Sequence, residues 1–128
     1  MASIVKQIDV NADASRAWAR IADTGSVDTL VSMITACRLD GDTRYCTLAD
    51  GSELVEQVIA VDADHMRLAY RISGGPIPFE FHAGSMQVRE HGMGSRLTWT
   101  FDFKPDGLSE MIAPMLDAAA QSIQSALA

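Results

Sequence analysis

The sequence predicts an α+β domain in which a curved antiparallel sheet of about seven strands wraps around a long C-terminal helix, with two short helices after strand one. Three observations predict it. Between Met33 and Phe103 run six apolar-alternating segments, each closed by turn residues. Leu108, Met111, Met115, Ala119, Ile123 and Leu127 then repeat at helical spacing. Finally, 128 residues that are 48% apolar can build one core, hence a single domain over 1–128.

Each element has a local reason. Ser3 to Val10 alternates as a strand. Asp13 is placed to cap a short helix from Arg16 to Ala22, which carries Ala17, Trp18 and Ile21 on one side. Thr24-Gly25-Ser26 ends it, and a second short helix is expected from Val27 to Ser32. The strands that follow are Met33–Leu39, Thr43–Leu48, Glu53–Val61, His65–Ile72, Phe79–Arg89 and Arg96–Phe103. Helix resumes from Leu108 to Leu127, and Pro114 predicts a kink or a separate turn early in it.

Hairpin geometry sorts the faces. A turn over Glu90 to Gly94 sets Met86 opposite Trp99, Val88 opposite Leu97 and Gly84 opposite Phe101, all inward. The same logic places Leu68 beside Gly84 and Tyr70 beside His82, with Arg67, Arg71, Arg96, Thr98 and Thr100 in water. A turn at Gly41-Asp42 makes Cys37 and Cys46 cross-strand neighbours, inward with Leu39 and Arg44. In Glu53–Val61, simple alternation turns Val55, Gln57, Ile59 and Val61 inward, whereas one bulge turns Glu56 inward instead. The residues leave both readings open.

Composition excludes several functions. Seventeen acidic against ten basic residues give a net charge of −7, which repels phosphate backbones and anionic lipid, so neither nucleic acid nor membrane is expected as a partner. No apolar run approaches the roughly 20 residues that cross a bilayer, and Met1 to Val10 has no signal-peptide pattern, so a cytoplasmic location is expected. Two cysteines make no disulfide scaffold and lack metal-ligand spacing. Without a phosphate loop, a nucleophile elbow or a metal cluster, no cofactor or metal is expected.

Residues Asp40 to Pro105 carry Gly41-x-x-Arg44, Asp50-Gly51, Glu56 to Asp62, Tyr70-Arg-Ile, Gly75-Pro-Ile-Pro78, Leu97-Thr-Trp99 and Phe103, while Trp18 sits in the first helix. This pattern resembles the polyketide cyclase/dehydratase group of the START-like (SRPBCC) superfamily, the helix-grip proteins. The resemblance implies a cavity between sheet and final helix, with the acid at Glu56 pointing into it. Leu30 and Ser32 stand where many members have Trp and Pro, which alters the entrance loop. Val31 stands where some hormone-binding members have Lys, so the resemblance does not support capture of a ligand carboxylate there.

The candidate catalytic residues are therefore His82, Tyr70 and Glu56: imidazole moves protons near neutral pH, and a carboxylate in an apolar cavity can complement it. Arg44, Cys46, Gln57, Leu68, Glu80, Met86, Trp99, Phe101, Met111 and Met115 are the candidate substrate-binding residues. Such a set suits enolisation, aldol closure or loss of water on a hydrophobic aromatic or polyketide-like substrate. The rival expectation is a non-catalytic carrier of a hydrophobic metabolite, and a third is an interaction protein using its outer sheet. A small hydrophobic organic molecule is the expected partner; the oligomeric state, a homodimer included, stays open.

Overall fold

The computed structural model describes all residues from Met1 to Ala128. Strand β1 (Ala2–Val10) leads into α1 (Ala14–Ala22), a 3₁₀ segment (Thr24–Thr29), then β2 (Ile34–Asp40), β3 (Thr43–Leu48), β4 (Glu53–Asp62), β5 (Arg67–Gly74), β6 (Phe81–His91) and β7 (Gly94–Lys104). A 3₁₀ turn (Asp106–Leu108) precedes α2 (Ser109–Ala126). The strands form one antiparallel sheet in the order β1-β7-β6-β5-β4-β3-β2. The expected α+β architecture is present. Asp13 caps α1 by accepting the Arg16 N–H at 2.8 Å, satisfying a donor that the first helical turn leaves unpaired.

The core lies between the concave face of the sheet and the helices. Val88, Leu97, Trp99, Phe101 and Phe103 face Ala17, Trp18 and Ile21 of α1 and Ile112, Leu116, Ala119 and Ile123 of α2 in one continuous cluster. Each fully buried isoleucine or leucine there contributes about 2 kcal/mol. The β6–β7 register is as expected, with Met86 opposite Trp99 and Val88 opposite Leu97. Cys37 also lies opposite Cys46.

Several expectations are corrected. The helix expected over Val27–Ser32 is instead the 3₁₀ segment Thr24–Thr29, after which Leu30 and Val31 turn inward and are buried. Helix α2 is continuous from Ser109 to Ala126 through Pro114, whose ring is exposed in the second turn, so only one early hydrogen bond is forgone and the separate turn lies ahead of the helix, at Asp106–Leu108. Its inward stripe runs Ile112, Leu116, Ala119, Ile123; stepping back two turns from Ala119 reaches 112, so Met111 is rotated outward and is 51% exposed. Across β5 and β6, Tyr70 pairs with Gly84 and Leu68 with Met86, two residues from the expected pairing with His82 and Gly84.

That last shift has a steric cause. A Cβ on Gly84 would lie 2.5 Å from Tyr70 Cζ and 2.6 Å from Cε1, so the phenol ring occupies the space that any side chain at 84 would need. The missing side chain selects the register. Strand β4 is irregular as well, with register shifts at Val55/Glu56 and Val58/Ala60. Glu56 therefore faces inward, opposite Arg44 of β3 and Ile72 of β5. Ile59, expected inward, falls in the bulge and is 60% exposed; Val61 is exposed beyond it.

Replacing Gly84 by Ala should lower stability by about 1–3 kcal/mol, because the Tyr70 ring must leave its seat. Urea unfolding measures this. A change within about 0.5 kcal/mol, the range of ordinary surface substitutions, would remove the ring-on-glycine contact as the cause of the register.

Candidate functional site

A cavity of about 110 Å³ lies between the concave sheet and α2, closed at one side by the segment from Asp23 to Ile34. Its wall is almost wholly apolar: Leu30, Val31, Leu68, Ile72, Met86, Trp99 and Phe101 meet Ile112, Met115 and Leu116 of α2. Only three charged side chains touch it, namely Asp23, Arg44 and Glu56. Asp23 is exposed and marks a place where the cavity approaches solvent.

Arg44 and Glu56 form its polar end. Arg44 is 3% exposed and Glu56 5%. The guanidinium donates from Nε to Glu56 Oε1 at 2.8 Å and from Nη1 to the Thr24 carbonyl at 3.1 Å, while Nη2 makes an ion-pair contact with the same Oε1 at 2.8 Å. Burial works against the Arg44 charge, but its surroundings, Glu56 foremost, together outweigh that and hold the guanidinium above its ordinary value. Glu56 Oε1 also lies 3.8 Å from the Cys46 thiol, while Oε2 has no protein partner. The only side-chain polar atom sealed from solvent without a partner is His82 Nε2. The free Glu56 oxygen is thus not sealed by protein, and Glu56 is one of the residues that line the cavity.

Tyr70 is the second polar group on this wall. It sits diagonally across from Glu56, since Glu56 pairs with Ile72 and Val58 with Tyr70, a spacing of roughly 7–8 Å between backbones that long side chains readily span. Its oxygen accepts the Trp99 indole N–H at 2.9 Å, which leaves the phenolic hydrogen to be donated. Complete burial, and then the Glu56 charge, push the Tyr70 hydroxyl well above its ordinary value. It therefore stays protonated and serves as a donor.

His82 lies elsewhere. It is 0% exposed and stands behind the cavity wall, with ring centroids 4.3 Å from Phe101 and 5.4 Å from both Tyr70 and Phe79. Nδ1 accepts the Ile72 N–H at 2.8 Å, just beyond the point where the β5–β6 ladder stops. The imidazole therefore bridges two strands where they separate. Burial, reinforced by the Arg71 charge and opposed by Asp102, holds its pKa down to about 4. Placed there, it does not line the cavity, whereas its ring neighbours Phe101 and Tyr70 do.

Of the other candidates, Leu68, Met86, Trp99, Phe101 and Met115 line the cavity and four do not. Cys46 is buried beneath Glu56, where burial and then the Glu56 charge keep its thiol protonated; Cys37 lies beside it with 3.8 Å between sulfurs, and both are free. Gln57 points to the outer face, bonded to Thr43 and Ser73. Glu80 is exposed in the connection before β6. Met111 is turned to solvent by the phase of α2. Leu30 and Val31, singled out in the entrance loop, also line the cavity, whereas Asp23, Ile112 and Leu116 were missed. The spacing of Ile112, Leu116, Ala119 and Ile123 was a readable signal; nothing local marked Asp23.

A family model described as polyketide cyclase/dehydrase and lipid transport matches residues 1–128. No curated protein matches the chain. Among solved structures, the protein XoxI from Bacillus cereus superposes with a TM-score of 0.91 at 18% identity, covering 99% of this chain and 96% of that one. A START superfamily protein from Mycobacterium smegmatis superposes at 0.82 with 11% identity over 98% and 96% of the two chains. Major latex-like protein 151 from Panax ginseng does so at 0.80, with 15% identity over 99% and 97%. These likenesses show the fold.

The His82 environment sets a pH dependence. The imidazole is neutral in the folded protein until about pH 4, whereas an unfolded histidine takes up its proton near its ordinary pKa of 6.5. Falling pH therefore favours the unfolded state, and the loss accumulates between those values to about 3 kcal/mol. His82→Gln, which keeps an acceptor for the Ile72 N–H, should show a shallower fall in stability over that window. Parallel curves for the two proteins in chemical unfolding from pH 7 to 4 would show that His82 is not buried neutral.

Proposed function

The chain belongs to the polyketide cyclase/dehydrase and lipid transport family, and on that premise we propose that its cavity takes up a small hydrophobic molecule and moves a proton on it. The family and the apolar wall fit binding of a hydrophobic small molecule. The finer reading is a cyclase/dehydratase-type enzyme acting by general acid–base chemistry on an aromatic or polyketide-like substrate. One observation carries it: a carboxylate oxygen without a protein partner and a phenolic hydrogen share an otherwise greasy cavity.

The chemistry follows from those two groups. Glu56 Oε2 takes a proton from carbon next to a carbonyl. Tyr70 donates its hydrogen bond to the carbonyl oxygen as charge builds there, and the Trp99 N–H on the Tyr70 oxygen strengthens that donation. Arg44 fixes the carboxylate through its other oxygen. The enolate so formed, or the enol once the proton held on Glu56 passes to its oxygen, is the common precursor of aldol closure and of water loss. Water is kept scarce by Leu30, Val31 and Ile112, which makes each interaction count for more than it would in solvent. Met33, Met86 and Met115 on the wall adapt to substrates of varied outline.

A generic probe tests the reading without knowledge of the true substrate. The protein should accelerate exchange of the α-hydrogens of 1-tetralone in heavy water, followed by proton NMR. Glu56→Gln should lower that acceleration by roughly two orders of magnitude, and Tyr70→Phe by less. His82→Gln should leave it unchanged in folded protein. Exchange no faster than buffer, with tetralone bound, would reduce the protein to a carrier.

A further inference from the structure

The charges on the cavity wall specify the ligand more closely than its apolar area does. Asp23, Arg44 and Glu56 are its only charged residues, so the wall carries one positive and two negative charges. The single cation is already committed: its Nε bonds Glu56 Oε1, its Nη2 makes an ion-pair contact with the same oxygen, and its Nη1 bonds the Thr24 carbonyl. A ligand carboxylate placed here would meet no unpaired cation and would lie against the free Glu56 oxygen. Burying it would leave unpaired charge in a low-dielectric space. An ammonium group fares badly for a different reason: it has no lone pair for the Tyr70 hydroxyl hydrogen, and Arg44 stands close by, its Cζ 5.7 Å from the Tyr70 ring centroid.

A neutral hydroxyl satisfies both groups at once. It donates to Glu56 Oε2 and accepts from Tyr70, whose own oxygen is occupied by Trp99. A carbonyl satisfies only Tyr70. We infer that the cavity selects a neutral hydroxylated hydrophobic ligand, a phenol or an alcohol, and discriminates against hydrophobic acids. This rests on the cavity being the ligand site, and it fits the proposed chemistry, because an enol or phenol is what proton transfer to the substrate oxygen leaves behind.

Four probes of one shape separate the possibilities: naphthalene, 2-naphthol, 2-naphthoate and 2-naphthylmethylamine, titrated calorimetrically at pH 7. Naphthalene reports whether the cavity holds an apolar ring at all. 2-Naphthol should bind about tenfold or more tighter than 2-naphthoate, the scale of one hydrogen bond to a charged group, and tighter than the amine. In Glu56→Gln the naphthol preference should shrink and naphthoate should gain, because Arg44 is then uncompensated. The double variant Arg44→Met, Glu56→Leu leaves no lone buried charge, and should bind naphthalene while no longer separating naphthol from naphthoate. Naphthoate or the amine binding wild-type protein as tightly as naphthol overturns the inference alone. Failure of all four probes to bind overturns the cavity as ligand site with it.

Discussion

Two opposite charges enclosed in an apolar chamber constrain much of this molecule. Taking each of a carboxylate and a guanidinium out of water costs several kcal/mol, and only close, hydrogen-bonded pairing offsets it. The β3–β4 register supplies that pairing by setting Arg44 directly across from Glu56. The turn after α1 completes it, because the Thr24 carbonyl takes the remaining face of the guanidinium. The irregular course of β4 belongs to the same arrangement, since a regular alternation would have turned Gln57 inward and left Arg44 without its counter-ion. Strand register, bulge and turn are thus tied to one ion pair.

The sheet and its faces were largely legible in the sequence. Alternation from Ser95 to Phe103 is nearly perfect, and the buried residues follow it one by one. Asp13 was readable as a cap because its oxygen has only local work to do. The unreadable parts are those where one residue of slip changes everything. Val-Glu-Gln-Val-Ile is equally apolar in either phase, so the bulge that turns Glu56 inward leaves no local trace. Tyr70 against Gly84 is a long-range steric match, invisible to any count across a connection of uncertain length. In α2, apolar side chains at Met111, Ile112, Met115 and Leu116 offer two overlapping stripes, and only the packed sheet chooses between them.

The choice of register also divides the polar interior into two parts with different work. Tyr70 and Glu56 share the cavity, whereas His82 is held two positions further along β6 behind Phe101. His82 serves as a strut: it supplies the acceptor that the Ile72 N–H needs where the ladder ends, and the cost of an unshared Nε2 hydrogen is tolerated for it. A side chain ideally suited to acid–base work is thereby made a poor proton carrier, while a buried carboxylate fixed by arginine holds the position on the cavity wall. The identity of a residue type does not settle its role; the atoms it can reach do.

The central claim is that the chamber beside the Arg44–Glu56 pair is where the molecule meets its ligand. Methionine residues report on this directly, because Met33, Met86 and Met115 line the chamber whereas Met93 stands fully exposed in the β6–β7 turn. In protein labelled with ¹³C at the methionine methyl groups, titration with 2-naphthol should shift the resonances of Met33, Met86 and Met115 together and saturably, with Met93 unmoved. Shifts confined to Met93 and the exposed Met111, with the three wall methionines silent, would contradict the account.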